Sequence, residues 1–194
     1  MKKKIEIGII TVNDPKNYGN RLQNYALQQV LRDYGTVSTV NQFLNVSKPG
    51  EIIEKRLFAL LRPAVNKVLS LVPSKRALDF KRLHRSDVFT RRYVPCSELY
   101  ASTCLTANNI ASLKTVVVGS DQVWNDRWIS GRVLSARLAD MTNDKTRLIS
   151  YAASFGINQV KDESKPIFKK QLARFSAISV REDQGARLVN ELSG

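Results

Sequence analysis

One stretch near the start constrains the fold more than any other. Residues 5–12 are apolar and β-branched, the mark of a strand buried on both faces. A polar loop follows at residues 13–19. A helical pattern comes next, with Leu27, Val30, Leu31 and Tyr34 at i, i+3, i+4 and i+7 and Gly35 at its stop. Asn20 stands where an N-cap is expected, with Gln23 three residues on. Residues 36–43 are rich in Val and Thr and read as a second strand. Strand, helix and strand in so short a span make a βαβ unit, and a βαβ unit makes its two strands parallel.

The rest of the chain continues the alternation. Residues 51–72 are helical in pattern, with Leu57, Leu61, Val65, Val68 and Val72 on one side and Pro63 expected to kink or split the helix. Ser74 is placed to cap a further helix to about residue 91. Residues 93–113 have a mixed pattern. Strands are expected at 115–118, 147–152 and 177–180. Helices are expected at 161–175, through Ile167, Leu172 and Phe175, and at 183–192, through Ala186, Val189 and Leu192. This is an α/β chain with a doubly wound, mostly parallel sheet. Its 194 residues suit one large domain, with a helical insertion at about residues 50–92 between the second and third strands.

That insertion carries the charge. The chain has 31 Lys and Arg against 17 Asp and Glu, a formal net charge of +14. Residues 55–92 hold eleven Lys and Arg against Asp79 and Asp87, a balance of +9. Such a segment attracts polyanions. Phe58, Phe80 and Phe89 are its few aromatics, and no nucleic-acid motif accompanies them. The expected partner is an anionic membrane surface rather than nucleic acid, the alternative being a merely solvated face. In the simplest arrangement the stripe from Leu57 to Val68 packs on the sheet and Lys55, Arg56, Arg62, Lys67, Lys75, Lys81, Arg82 and Arg85 face outward.

Several classes are excluded. Two cysteines, Cys96 and Cys104, cannot build a disulfide scaffold or a Cys-based zinc site. A single histidine, His84, argues against a His-rich metal site and a Ser-His-Asp triad. No cofactor or metal is expected. Lys2, Lys3 and Lys4 resemble the start of a signal peptide, but the apolar stretch behind them is short and runs into Asn13-Asp14-Pro15. No run approaches the ~20 apolar residues of a membrane helix. The expected location is the cytoplasm, either free or peripheral at the inner face of the membrane.

In open parallel sheets, ligands bind beyond the carboxyl ends of the strands, and four loops qualify. The first holds Asn17, Tyr18, Gly19, Asn20 and Arg21. It offers helix N–H groups to an anion, or is a capped turn. It is neither GxGxxG nor a Walker loop. The second holds Gly119, Ser120, Asp121, Gln122 and Trp124. Asp121 and Gln122 suit sugar hydroxyls and the Trp124 indole suits a sugar ring. The alternative makes Asp121 a cap and Trp124 core. Trp124, leaving the sheet at a strand end, is expected at the mouth. The third is a run of small residues around Ser154, open to a ligand or to close packing. The fourth holds Arg181 and Glu182. Arg181 is expected on the same sheet edge as Asn17 and Asp121, to grip a carboxylate or phosphate, or to form an ion-pair network with Glu182.

Four segments, KIEIGIITVNDPKNYGNRLQNYALQQVL, TVVVGSDQVWN, ISYAASFG and ISVREDQGARLV, together resemble the polysaccharide pyruvyl transferase family. The resemblance implies a GT-B-like architecture of two Rossmann-like halves, of which this chain corresponds to the N-terminal, acceptor-side half, inactive alone. It implies transfer of a pyruvyl group from phosphoenolpyruvate to a sugar hydroxyl of a cell-surface polysaccharide, the acceptor being a glycan, either free or lipid-linked. Arg21 and Arg181 are the cations this half would supply, and the general acid is expected in the second half. The competing expectation, from charge alone, is a polyanion-binding α/β module.

Overall fold

In a computed structural model, the described residues are 6–14, 16–43, 49–73, 76–94, 100–102 and 113–193. In chain order the elements are β1 (Ile7–Ile10), α1 (Tyr18–Leu31), β2 (Val37–Thr39), β3 (Asn41–Phe43), α2 (Pro49–Leu71), α3 (Ala77–Tyr93), β4 (Tyr100–Ser102), β5 (Thr115–Val118), α4 (Gly131–Arg137), β6 (Arg147–Ala153), α5 (Lys165–Leu172), β7 (Phe175–Val180) and α6 (Asp183–Ser193). Five strands form one all-parallel sheet in the order β2-β1-β5-β6-β7, and β3 pairs with β4 in a separate parallel ribbon. Ile7 lies opposite Val37 on one side and Thr115 on the other, and Val116 lies opposite Leu148. The fold is a Rossmann-like, doubly wound α/β sheet.

Successive side chains of a strand point to opposite faces, and the two faces have separate cores. Ile7, Ile9, Val37 and Val117 form the smaller, with Leu27 and Leu31 of α1 against it. Ile10, Val116, Val118 and Leu148 open the larger, which α4, α5 and α6 cover with Leu134, Phe168, Leu172, Leu188 and Leu192. The chain runs from β1 to β2 on one side, then returns through α2 and α3 to β5 on the other. The strand order therefore reverses between β1 and β5.

Several sequence expectations are corrected here. The second strand is two: Val40 N–H still donates to Ile9 O at 2.8 Å, after which the chain leaves the main sheet for β4. A run of Val and Thr signals extension, not which neighbour it pairs with. The cap of α1 is Asn17, whose side chain accepts from Asn20 N–H at 3.2 Å. The buried face of α1 is Asn20, Arg21, Asn24 and Gln28, while Val30 and Tyr34 are exposed. The partner surface explains this. Thr39 of β2 accepts from Gln28 Nε2 and donates to Asn24 Oδ1, both at 2.8 Å, so a polar helix face meets a polar strand. The expected helix at 161–175 resolves into a 3-10 turn, Asp162–Ser164, and α5, while Phe175 already belongs to β7. Helix α4, which periodicity does not announce, completes the crossover from β5 to β6.

The insertion departs most from expectation. Helix α2 runs unbroken through Pro63. Proline interrupts the preceding turn, and there Arg91 of α3 donates to Leu60 O at 2.5 Å. His84 Nδ1 lies 3.0 Å from Pro63 O, a packing role. The stripe Leu57, Leu61, Val65 and Val68 does not pack on the sheet; it is exposed. The packed side of α2 is polar. Asp87 of α3, 2% exposed, is held by the Arg62 guanidinium and by Asn66 Nδ2 at 3.0 Å. Two long helices thus meet through a buried ion pair, which leaves the apolar side of α2 outward. Ser74, Lys75, Cys96 and Cys104 lie outside the described residues. Lys55 and Arg56 stand in α2, with their side chains outside the description. No helix among the described residues is long and apolar enough to cross a membrane.

Candidate functional site

Where neighbouring strands of a parallel sheet send their crossovers in opposite directions, the loops after them diverge and leave a crevice. Here that crevice lies between the loops following β1 and β5. All the main-sheet strands are parallel, so the loops bearing Asn17, Asp121, Ser154 and Arg181 leave the sheet at one edge.

At the end of β1, Arg21 is 4% exposed and donates to Asn13 Oδ1. Gly19 sits where a Cβ would come 3.1 Å from the capping Asn17 Oδ1. Tyr18 is half-exposed, and its hydroxyl reaches Arg82 O of α3 at 3.4 Å, which links the helical insertion to the site's rim. A second guanidinium enters from α4: the half-buried Arg137 donates to Thr11 O, just past β1. Burial lowers its pKa to about 10, so it is still a cation at neutral pH. Sequence reasoning missed Arg137 because nothing local to α4 shows that its last turn reaches the end of a strand more than a hundred residues earlier.

The loops after β5, β6 and β7 are interlocked. Gly119 N–H donates to Ile10 O at 3.1 Å, Ser154 N–H to Ser120 O at 3.2 Å and Trp124 N–H to Ser154 O at 3.1 Å. A Cβ on Gly119 would stand 2.2 Å from Tyr151 O, so only glycine permits this approach. Ala152 has φ 48° inside β6, where the register with β7 shifts, and Gln122 has φ 52°. Left-handed non-glycine residues are costly, and such strain is concentrated at functional edges.

Glu182 closes the cluster. Its Oε1 accepts from Ser154 Oγ at 3.0 Å, Phe155 N–H at 2.9 Å and Gly156 N–H at 3.0 Å. Arg181 pairs with Asp121 Oδ1 at 2.7 Å and lies 3.8 Å from Glu182 Oε2. Arg181 and Asp121 stay about half-exposed. Two carboxylates already hold this guanidinium, so it presents oriented N–H donors beside a carboxylate acceptor rather than a bare cation. Such a donor–acceptor pair fits neutral hydroxyls better than a phosphate. Ser120 Oγ is buried beside it with no hydrogen-bond partner.

Trp124 is a correction. It is fully buried, edge-on to Phe155 and Phe175 at 5.3 and 5.8 Å between ring centroids. The turn through Gln122 folds the chain back under the loops and drives the indole into the larger core. It offers no face to a sugar. Gln122 is instead an internal brace, accepting from Asn125 Nδ2 at 2.9 Å and contacting the Gly156 backbone.

The cavity of about 570 Å³ lined by Ser135, Asp140, Thr142, Lys170, Gln171 and Arg174 lies between α4, α5 and the turn into β6, away from these loops. Its Arg174 is committed to Thr142 O at 2.9 Å, Thr142 Oγ1 at 3.1 Å and Gln171 Oε1 at 2.9 Å, so it is a brace. Burial raises the pKa of Asp140 above the ordinary carboxylate value, against the lowering effect of Arg174. A carboxyl raised in this way weakens the fold once ionised. Asp140→Asn is expected to raise Tm at pH 7, with the gain shrinking as pH falls through the raised pKa and gone below 3.8, the unperturbed value. Tm measured across that range, for wild type and variant, checks it; a gain that persists in acid refutes the assignment. Among the described residues no group of His, Cys, Asp and Glu is arranged to hold a metal ion.

A family model described as polysaccharide pyruvyl transferase matches residues 17–194, from the cap of α1 through the loops after β5, β6 and β7. No curated protein and no solved structure matches.

Proposed function

Because the chain belongs to the polysaccharide pyruvyl transferase family, we propose that it takes part in transferring a pyruvyl group from phosphoenolpyruvate to a sugar hydroxyl, and that its strand-end edge is the acceptor side of the cleft. The observation that carries the acceptor role is the half-exposed Arg181–Asp121 pair on its Glu182 support. Asp121 accepts one sugar hydroxyl and Arg181 donates to another oxygen, a pairing that reads a diol. The guanidiniums of Arg21 and Arg137 raise the potential at the end of β1, on the crevice's other side, where an anionic donor is favoured.

In this reading the methylene carbon of phosphoenolpyruvate takes a proton, the central carbon gains oxocarbenium character, and a sugar hydroxyl adds to it with loss of its proton. Phosphate then leaves, and a second hydroxyl closes the ketal. The edge of this domain supplies orientation and charge. The general acid is assigned to a second Rossmann-like half, in the GT-B-like arrangement that the family resemblance implies; alone, this domain binds without turning over. No cofactor is part of the scheme, and it operates in the cytoplasm, with a glycan acceptor that is lipid-linked in the fullest form of the proposal. The polyanion-binding alternative gains nothing from the family match.

The test is acceptor binding by this chain, followed by ligand-observed NMR with pyruvylatable oligosaccharides. Asp121→Ala is expected to weaken binding about tenfold, the loss of one good hydrogen bond, or ~1.4 kcal/mol. Its stability should change by less than about 1 kcal/mol, because the pair is half-exposed. Binding unchanged in Asp121→Ala, or no binding with any acceptor, overturns the acceptor role. Phosphate release from phosphoenolpyruvate by a two-domain protein containing this sequence tests the reaction itself.

A further inference from the structure

We propose that the hairpin of α2 and α3 docks on an anionic lipid bilayer, with the outward face of α2 entering the headgroup boundary. At 100° per residue, Leu57, Leu61, Val65, Val68 and Leu71 fall on one side of α2, with Phe58 and Leu60 at its two margins, an apolar arc of roughly 160° that Val72 follows directly after the helix. All eight are exposed, Val68 at 62% and Leu71 at 74%. The opposite side, through Arg62, Pro63 and Asn66, is the one packed on α3. A surface helix of a water-soluble domain normally turns its apolar arc to the core. Here the buried Arg62–Asn66–Asp87 cluster fixes the reverse orientation. A contiguous exposed apolar face of this width marks an interaction surface.

The charge selects what covers it. Residues 55–92 carry +9 of the chain's +14. On α3, Lys81, Arg85 and Arg92 are exposed at i, i+4 and i+11, a cationic stripe on the flank of that helix, roughly 100° round from the His84, Asp87 and Arg91 side that meets α2. A second copy of the chain would bring one +9 hairpin against another, which repels. A nucleic acid would meet the charge and leave the apolar arc in water. An anionic bilayer meets both: acyl chains take the apolar side chains and headgroups take the cations, the composition of an in-plane interfacial helix. The contact at Tyr18 and Arg82 O would hold the strand-end loops at a fixed distance from that surface. The inference stands on the hairpin and is independent of the pyruvyl-transfer reading.

The test is co-sedimentation of the chain with vesicles of phosphatidylcholine alone and of phosphatidylcholine with about a third phosphatidylglycerol, at about 0.1 M salt. At least tenfold more chain is expected on the anionic vesicles. Leu61→Gln with Val68→Gln should bring that binding down to the neutral-vesicle level. Lys81→Glu with Arg85→Glu should weaken it and flatten its salt dependence. All four side chains are exposed, so circular dichroism and thermal unfolding should match wild type, separating lost docking from lost folding. The proposal is overturned by equal pelleting with both vesicles, by no pelleting with either, or by full binding of the glutamine variant. It is equally overturned by a dimer in sedimentation equilibrium that the glutamine variant abolishes, since the face would then belong to a second copy.

Discussion

Gly119→Ala is expected to destabilise the chain by about 3 kcal/mol, at the top of the range for overpacking a close contact. The new methyl carbon would stand 2.2 Å from Tyr151 O, and a backbone oxygen cannot swing aside as a side chain can. Neither partner is free to retreat. Gly119 follows β5 directly and is tied to Ile10 O, while Tyr151 lies in β6, which pairs with β5 through Val118 and Ser150. Relief would require opening the sheet at its strand-end edge, so the loops carrying Asp121 and Ser154 should shift together. Urea unfolding of wild type and variant measures the loss. A change under about 0.5 kcal/mol, the scale of ordinary surface substitutions, would show that β5 and β6 do not approach this closely.

The second large effect concerns Glu182. One oxygen accepts three donors, two of them backbone N–H groups. Glu182→Ala orphans all three and releases Arg181 from one of its two carboxylates. Charge-assisted bonds contribute about 1.5–3 kcal/mol each, and an unpaired buried donor costs about 1–3. Partial access of water to this side chain, 29% exposed, tempers the total, and a loss of about 3 kcal/mol is expected. Glu182→Gln keeps an acceptor oxygen but not the charge, so its loss should be about 1 kcal/mol. Chemical unfolding of the pair decides between a hydrogen-bond hub and a purely electrostatic role. Equal losses in both variants would mean that charge, not acceptor geometry, holds the loops.

The parallel sheet could be read from local pattern because its central strands β1 and β5 are buried on both faces. A run such as residues 116–118 is then continuously apolar, and no helix begins so abruptly or ends so soon. The edge assignment followed from connectivity: strands joined by helices are parallel, and their loops must share one edge. That reasoning brought Asp121 and Arg181 to the same place, and they pair at 2.7 Å. It could not place Trp124, because whether an indole after a strand turns outward or under depends on the left-handed turn at Gln122 and on the space beside Phe155.

The sequence by itself determined the α/β class, the parallel order of crossovers, the concentration of charge in the insertion and the membership of four ordered segments in one family pattern. Each of these depends on residues close together in the chain or on their order. Only the tertiary structure decided which way the helices face. Periodicity shows that α1 and α2 have an apolar and a polar side, but orientation is a contest between surfaces distant in sequence. Thr39 drew the polar side of α1 inward, and Asp87 drew in Arg62 and Asn66. The same holds for Arg137 at the end of β1 and for the triple grip of Glu182. A buried donor or charge takes the partner the fold brings to it, because leaving it unpaired in a low-dielectric interior costs more than exposing a few aliphatic side chains.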